Sequence, residues 1–90
     1  MVSRHQEVYN SVAAYARAQA EAVSGNMEIR PYGPGYNPNN GYNSLTKWDI
    51  DAAVRCAHKA HKAAVLLQKM YNDEISADDA AASLAQLRYS

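Results

Sequence analysis

The sequence predicts an all-α domain, with three helices and one long loop that is not helical. Three stretches repeat apolar residues at helical spacing, and each begins near a residue that caps helices. All three prolines and three of the four glycines fall in one intervening stretch, residues 26–45. Ninety residues correspond to a single helical domain, 1–90. Its core is thin, because a chain of this size buries only about 60–65% of its unfolded surface.

The first predicted helix covers about residues 4–24. Ser3 followed three residues later by Gln6 is the pattern of a capping box. Gly25 and Asn26 form a typical stop signal. Between these limits, apolar residues recur near helical spacing at Val8, Val12, Tyr15 and Val23.

The second and third predicted helices cover about 46–71 and 77–88. Thr46 with Asp49 forms a second box-like cap, and Ser76 with Asp79 starts the third helix. The connection between these two helices is short, so they are predicted to form an antiparallel hairpin.

The second helix separates into two faces at 100° per residue. The predicted seam toward the other helices is Ala53, Ala57, Ala60, Ala64, Leu67 and Tyr71, with Cys56 and Met70 on its flank. The opposite face is basic and carries Arg55, His58, Lys59, Lys62 and Lys69. Residues 44–71 hold five basic and two acidic side chains, whereas residues 72–90 hold four acidic and one basic. The basic face is either solvated and offset by the acidic segment, or it binds a phosphate group, nucleic acid or an acidic protein.

Val65 and Leu66 interrupt the basic face. An apolar pair on or beside a charged stripe indicates a contact, and the candidates are the loop at 30–43 or another protomer. Because the chain has no Phe, the tyrosines and Trp48 are expected to supply the aromatic bulk of the fold.

The loop RPYGPGYNPNNGYN, residues 30–43, is the strongest candidate for recognition. Connections inside compact domains are typically about 4–6 residues, and longer ones are usually functional or disordered. Tyr32, Tyr36 and Tyr42 stand among Gly, Pro and Asn, a composition found in binding loops. The alternative is that these rings fold back over a core that is poor in large side chains. We predict an ordered loop that returns along the bundle.

Catalytic and metal-binding sites are not predicted. Cys56 points away from His58 and His61 on a helix, so the three cannot share one ion, and structural zinc takes four ligands. The acidic residues around positions 73–79 are explained by helix capping, and no glycine-rich phosphate loop is present. We therefore expect a non-enzymatic protein without a cofactor. No apolar run approaches about 18 residues, so a cytoplasmic location is expected.

The short, neutral, alanine-rich chain resembles small accessory proteins of bacteriophages, among them anti-CRISPR and other counter-defence proteins. Residues 44–47, followed by Ala53, Val54 and Ala57, are similar to the start of the second helix in helical-hairpin nucleotide sponges of the anti-CBASS and anti-Thoeris type. The resemblance implies a protein that occupies a host protein's surface or sequesters a signalling nucleotide.

Three functional hypotheses follow from these patterns. The first is an inhibitor, encoded by a phage or mobile element, that binds a host defence protein. The second is an oligomeric sponge that holds a phosphate-bearing ligand, and the third is a structural or virion-associated component. The predicted binding residues are Tyr32, Tyr36, Tyr42, Arg55, His58, Lys59 and Lys62, and the predicted interface residues are Val65 and Leu66.

Overall fold

The computed structural model describes residues 2–27 and 45–90 and places three α-helices in them. Helix α1 is Arg4–Met27, α2 is Lys47–Tyr71 and α3 is Ala77–Tyr89. Within these ranges all regular structure is helical, which confirms the prediction of an all-α, three-helix domain. Most of the predicted loop, with Tyr32, Tyr36 and Tyr42, lies outside the described residues.

Helix α2 begins with the predicted capping box. The Asp49 amide donates to Thr46 Oγ1 over 3.2 Å, and the Thr46 amide donates to Asp49 Oδ2 over 3.1 Å. Helix α3 begins with one of these two bonds. The Asp79 amide donates to Ser76 Oγ over 3.1 Å. These bonds satisfy amide groups that have no partner within the helix.

The start of α1 forms only half of the predicted box. The Gln6 amide donates to Ser3 Oγ over 3.1 Å, but the Gln6 side chain donates to Asn10 Oδ1 over 2.8 Å. The end of α1 was predicted too early, since the helix continues through Gly25 to Met27. Glycine in an exposed helix costs only about 1 kcal/mol, which does not end a helix that has already formed.

Helices α1 and α2 pack side by side in antiparallel fashion and make the most extensive contact in the fold. The amino end of α1 therefore lies beside the carboxyl end of α2, and α3 packs against both helices at this end. The buried cluster draws on all three helices and consists of Val8, Val12, Ala63, Leu66, Met70, Ala80 and Leu84. Tyr15 Oη adds a tether by donating to the Leu87 carbonyl over 3.2 Å.

The predicted seam of α2 was rotated from its true position. Ala53 of the seam and Met70 on its flank are buried as predicted, but Ala57, Ala64 and Tyr71 are exposed and Ala63 is buried in their place. The larger side chains decide the orientation, because burying Leu or Met removes far more apolar area from water than burying Ala.

The sequence analysis expected Leu66 to contact the loop at 30–43 or another protomer, but the structure gives it different neighbours. Leu66 is only 5% exposed and packs in the core of its own chain, while Val65 is 37% exposed at the edge. Leu66 does lie on the side of α2 that carries Arg55 and Lys59, as the sequence indicated. In the carboxyl half of α2, this side is covered by α3.

Helix α2 ends in a Schellman motif. The Glu74 amide donates to the Lys69 carbonyl over 2.8 Å, and the Asp73 amide donates to the Met70 carbonyl over 3.2 Å. Asp73 has φ 56° and occupies the left-handed position that glycine usually fills. This tight turn places α3 directly against the helix that precedes it.

Candidate functional site

Three of the predicted basic residues lie along one side of α2. Arg55, Lys59 and Lys62 are separated by four and three residues, which places their side chains above one another on a helix. Arg55 and Lys62 are exposed and Lys59 is half-buried. His58 is exposed as well and lies at the edge of this row.

Trp48 extends the same row toward the start of α2. It precedes Arg55 by seven residues, or about two helical turns. Its side chain is 82% exposed, so Trp48 adds little to the packing of the three helices, although it was expected to supply aromatic bulk to the fold. We call Trp48, Arg55, Lys59 and Lys62 the Trp48 stripe. The heptad spacing of Trp48 to Arg55 is the signal in the sequence that could have revealed it.

Helix α3 is too short to cover the part of the Trp48 stripe that lies near the start of α2. Helix α3 has 13 residues and is about 20 Å long, which is roughly half the length of α2. It runs beside the carboxyl half of α2 and ends near Lys62, with its last turn facing Lys62 and Leu66 across a groove. Beyond this point, no described helix packs over the side of α2 that carries Trp48, Arg55 and Lys59.

The groove between α2 and α3 continues the stripe. It has a volume of about 380 Å³ and carries Lys62 and Lys69 on its α2 side. Its remaining lining combines apolar and uncharged polar side chains, namely Val65, Leu66, Ile75, Leu87, Ser83, Gln86 and Ser90. Two cations over an apolar floor suit a ligand that carries both an anionic group and an apolar body.

Side chains that bind metal ions do not form a cluster in the part of the chain that the structure describes. In residues 2–27 and 45–90, no three His, Cys, Asp or Glu side chains are close enough to hold one metal ion. Cys56 is half-buried on the flank of the α1–α2 contact, and His58 and His61 are exposed. His5 Nε2 is buried and has no hydrogen-bond partner among these residues.

Comparisons with known proteins identify no relative. The chain matches no protein-family model, and no curated protein or solved structure is significantly similar to it. None of the helices in the described ranges is long and apolar enough to cross a membrane.

Proposed function

We propose that this protein is a non-enzymatic interaction protein that binds an acidic surface of a protein partner through the Trp48 stripe. The observation that supports the proposal most directly is Trp48 itself, 82% exposed in line with three cations. Tryptophan is among the residues most enriched at binding hot spots, and arginine is another. A thin-cored protein gains stability by burying such a ring, so its exposure indicates a use outside the fold.

Burial of Trp48 in an interface would contribute a large favourable free energy to binding. Burial of a tryptophan removes about 150–250 Å² from water, which at about 25 cal/mol per Å² corresponds to about 4–6 kcal/mol before the costs of association. The cations contribute mainly by steering an acidic partner and by fixing its orientation. Their effect is screened over about 8–10 Å at physiological ionic strength, so association is expected to slow as salt is raised.

The resemblance to small phage counter-defence proteins supplies the first class of partner to test, which is a host defence protein in the cytoplasm. In this proposal the chain acts as an inhibitor that occupies the partner's surface. Tyr32, Tyr36 and Tyr42 remain predicted contributors to the same interaction.

The test uses Trp48 as its own reporter, because it is the chain's single tryptophan. A partner captured from host lysate is purified and titrated into the protein while tryptophan emission and acrylamide quenching are followed. If the partner covers the stripe, the emission shifts to shorter wavelength and quenching falls. Emission that does not change at saturating partner would refute the role of the stripe.

Matched variants distinguish the contribution of the Trp48 ring to partner binding from that of the positive charges. Trp48→Ala is expected to abolish capture of the partner, whereas Tyr89→Ala, which removes another highly exposed aromatic ring, is expected to leave it intact. Lys59→Gln with Lys62→Gln is expected to slow association. Arg17→Gln, which removes an exposed cation from the outer side of α1, serves as the control for charge.

A second candidate function is favoured by the groove between α2 and α3. Lys62 and Lys69 over the floor of Leu66 and Leu87 could hold the phosphate and base of a signalling nucleotide, as a sponge does. Thermal-shift screening against cyclic dinucleotides tests it, since ligand at 100 times its Kd stabilises the protein by about 2.7 kcal/mol. In this case Lys69→Gln removes the shift and Trp48→Ala leaves it unchanged.

A further inference from the structure

The α1–α2 pair has two broad faces, and α3 covers only one of them. On the covered face, Val8 and Ser11 of α1 meet Leu84 of α3. On the opposite face, Tyr9 of α1 lies beside Tyr71 of α2 across a shallow groove. None of the three described helices packs on this second face.

The second face has a heptad repeat on each helix. On α2 the spacing is four and three residues throughout, at Ile50, Val54, Ala57, His61, Ala64, Gln68 and Tyr71. On α1 the same spacing joins Tyr9, Ala13, Ala16, Ala20, Val23 and Met27. We call these two rows together the open face. On a straight helix, a row with a repeat of 3.5 residues drifts by about 20° per heptad, so it stays toward a partner helix only where the two helices coil around each other.

The open face is mainly apolar: it contains no Lys, Arg, Asp or Glu, and His61 and Gln68 are the polar side chains in its α2 row. On α2 its large side chains are well exposed, since Ile50 is 45% exposed, Val54 48% and Tyr71 79%, whereas Tyr9 and Val23 of α1 are half-buried. Ala57 and Ala64 in the α2 row are also exposed. The charged residues of α1 and α2 lie outside these rows. A face of this kind offers apolar area and does not select a partner by charge, unlike the Trp48 stripe.

We propose that the open face binds the open face of a second copy of this chain, so that the α1–α2 pairs of two protomers form a four-helix bundle. The size of the face supports this occupant. From Ile50 to Tyr71 the row is about 32 Å long, and two adjacent helices are about 20 Å wide. The footprint of about 640 Å², increased by interdigitated side chains, approaches the roughly 800 Å² per partner of a standard stable interface. The same patch on both subunits is what a two-fold dimer requires.

This dimer does not depend on the proposed function. Trp48 lies on the opposite side of α2 from Ile50, Val54 and Tyr71, so the dimer leaves the Trp48 stripe uncovered. A failure of one proposal therefore leaves the other standing.

The test is the mass of the full chain in solution, measured by sedimentation and native mass spectrometry over a range of concentrations. The expected mass is twice the chain's 9.9 kDa. Ala64→Glu places a charge in the middle of the open face and is expected to give the mass of one chain. Since Ala64 is exposed in the protomer and Glu is a good helix former, the far-UV circular dichroism of this variant should match the wild type. Ala14→Glu, on the outer side of α1, is the control and should remain dimeric.

A wild-type chain with the mass of one protomer at every concentration overturns the proposal, and so does a dimer that persists in Ala64→Glu. A complex with a different polypeptide in place of the second copy overturns it as well. If the wild type is monomeric and a variant with residues 28–44 replaced by a Gly/Ser linker dimerises, the open face belongs to that segment of the same chain.

Discussion

Replacing Asp73 by glycine should stabilise the protein. Asp73 holds the left-handed position of the Schellman motif, with φ 56°, and its side chain is exposed. An L-residue in this conformation costs about 1–2 kcal/mol, and aspartate is at the lower end because it tolerates the region. A carboxylate at the carboxyl end of α2 also opposes the helix dipole, by about 0.3–1 kcal/mol. Glycine removes both costs but loses about 0.4–1 kcal/mol through the greater freedom of the unfolded chain.

The net gain for Asp73→Gly is about 0.5–1 kcal/mol, which for a domain of this size raises Tm by about 3–6 °C. Thermal and urea unfolding followed by far-UV circular dichroism, at one fixed protein concentration, measures it. Asp73→Asn keeps a residue that tolerates the left-handed region and removes only the charge. The increase in stability of this variant therefore measures the unfavourable interaction of the carboxylate with the helix dipole. The reasoning is refuted if Asp73→Gly gives no gain, or a gain no larger than that of Asp73→Asn.

Three further substitutions test the packing and the caps. Leu66→Ala should lower the free energy of unfolding by about 2–5 kcal/mol because it opens a cavity in the core. Val65→Ala, at the edge of the core, should lower it by less than about 1 kcal/mol. Comparable losses for the two variants in urea unfolding would contradict the placement of Leu66 in the core. Thr46→Ala should cost about 1 kcal/mol by removing the cap of α2, and retention of full stability would show that the capping box contributes little. His5→Leu should be neutral or stabilising by up to about 1–3 kcal/mol, because Nε2 is buried and has no hydrogen-bond partner in residues 2–27 and 45–90. A clear loss of stability would show that this nitrogen has a partner in solution.

Local patterns predicted the helices well because the signals that start them are local. The cap of α2 forms between Thr46 and Asp49, three residues apart, and depends on no distant contact. The stop at Gly25 was wrong because a single glycine carries a small cost that neighbouring helical residues outweigh.

The orientation of α2 could not be read from the sequence alone, because each row of a helix rich in alanine has a similar apolar content. Leu66 shares a side of α2 with basic residues, and its burial follows from the packing of α3 on that side, which is a distant contact. Only part of the candidate site was predicted, because its local spacing can be read from the sequence and its tertiary packing cannot. The spacing of Arg55, Lys59 and Lys62 is local and was predicted, but the exposure of Trp48 depends on where α3 ends.

The length of α3 determines what the rest of the molecule can do. Among the described helices, the amino half of α2 packs only against α1, which leaves two of its sides without a helical neighbour there. On one side is the Trp48 stripe, and on the other the open face continues through Ile50 and Val54. A dimer formed through the open face therefore carries two Trp48 stripes that point away from each other. Such a dimer can engage two copies of a partner at once, which raises the apparent affinity for an oligomeric or surface-bound target without any new contact.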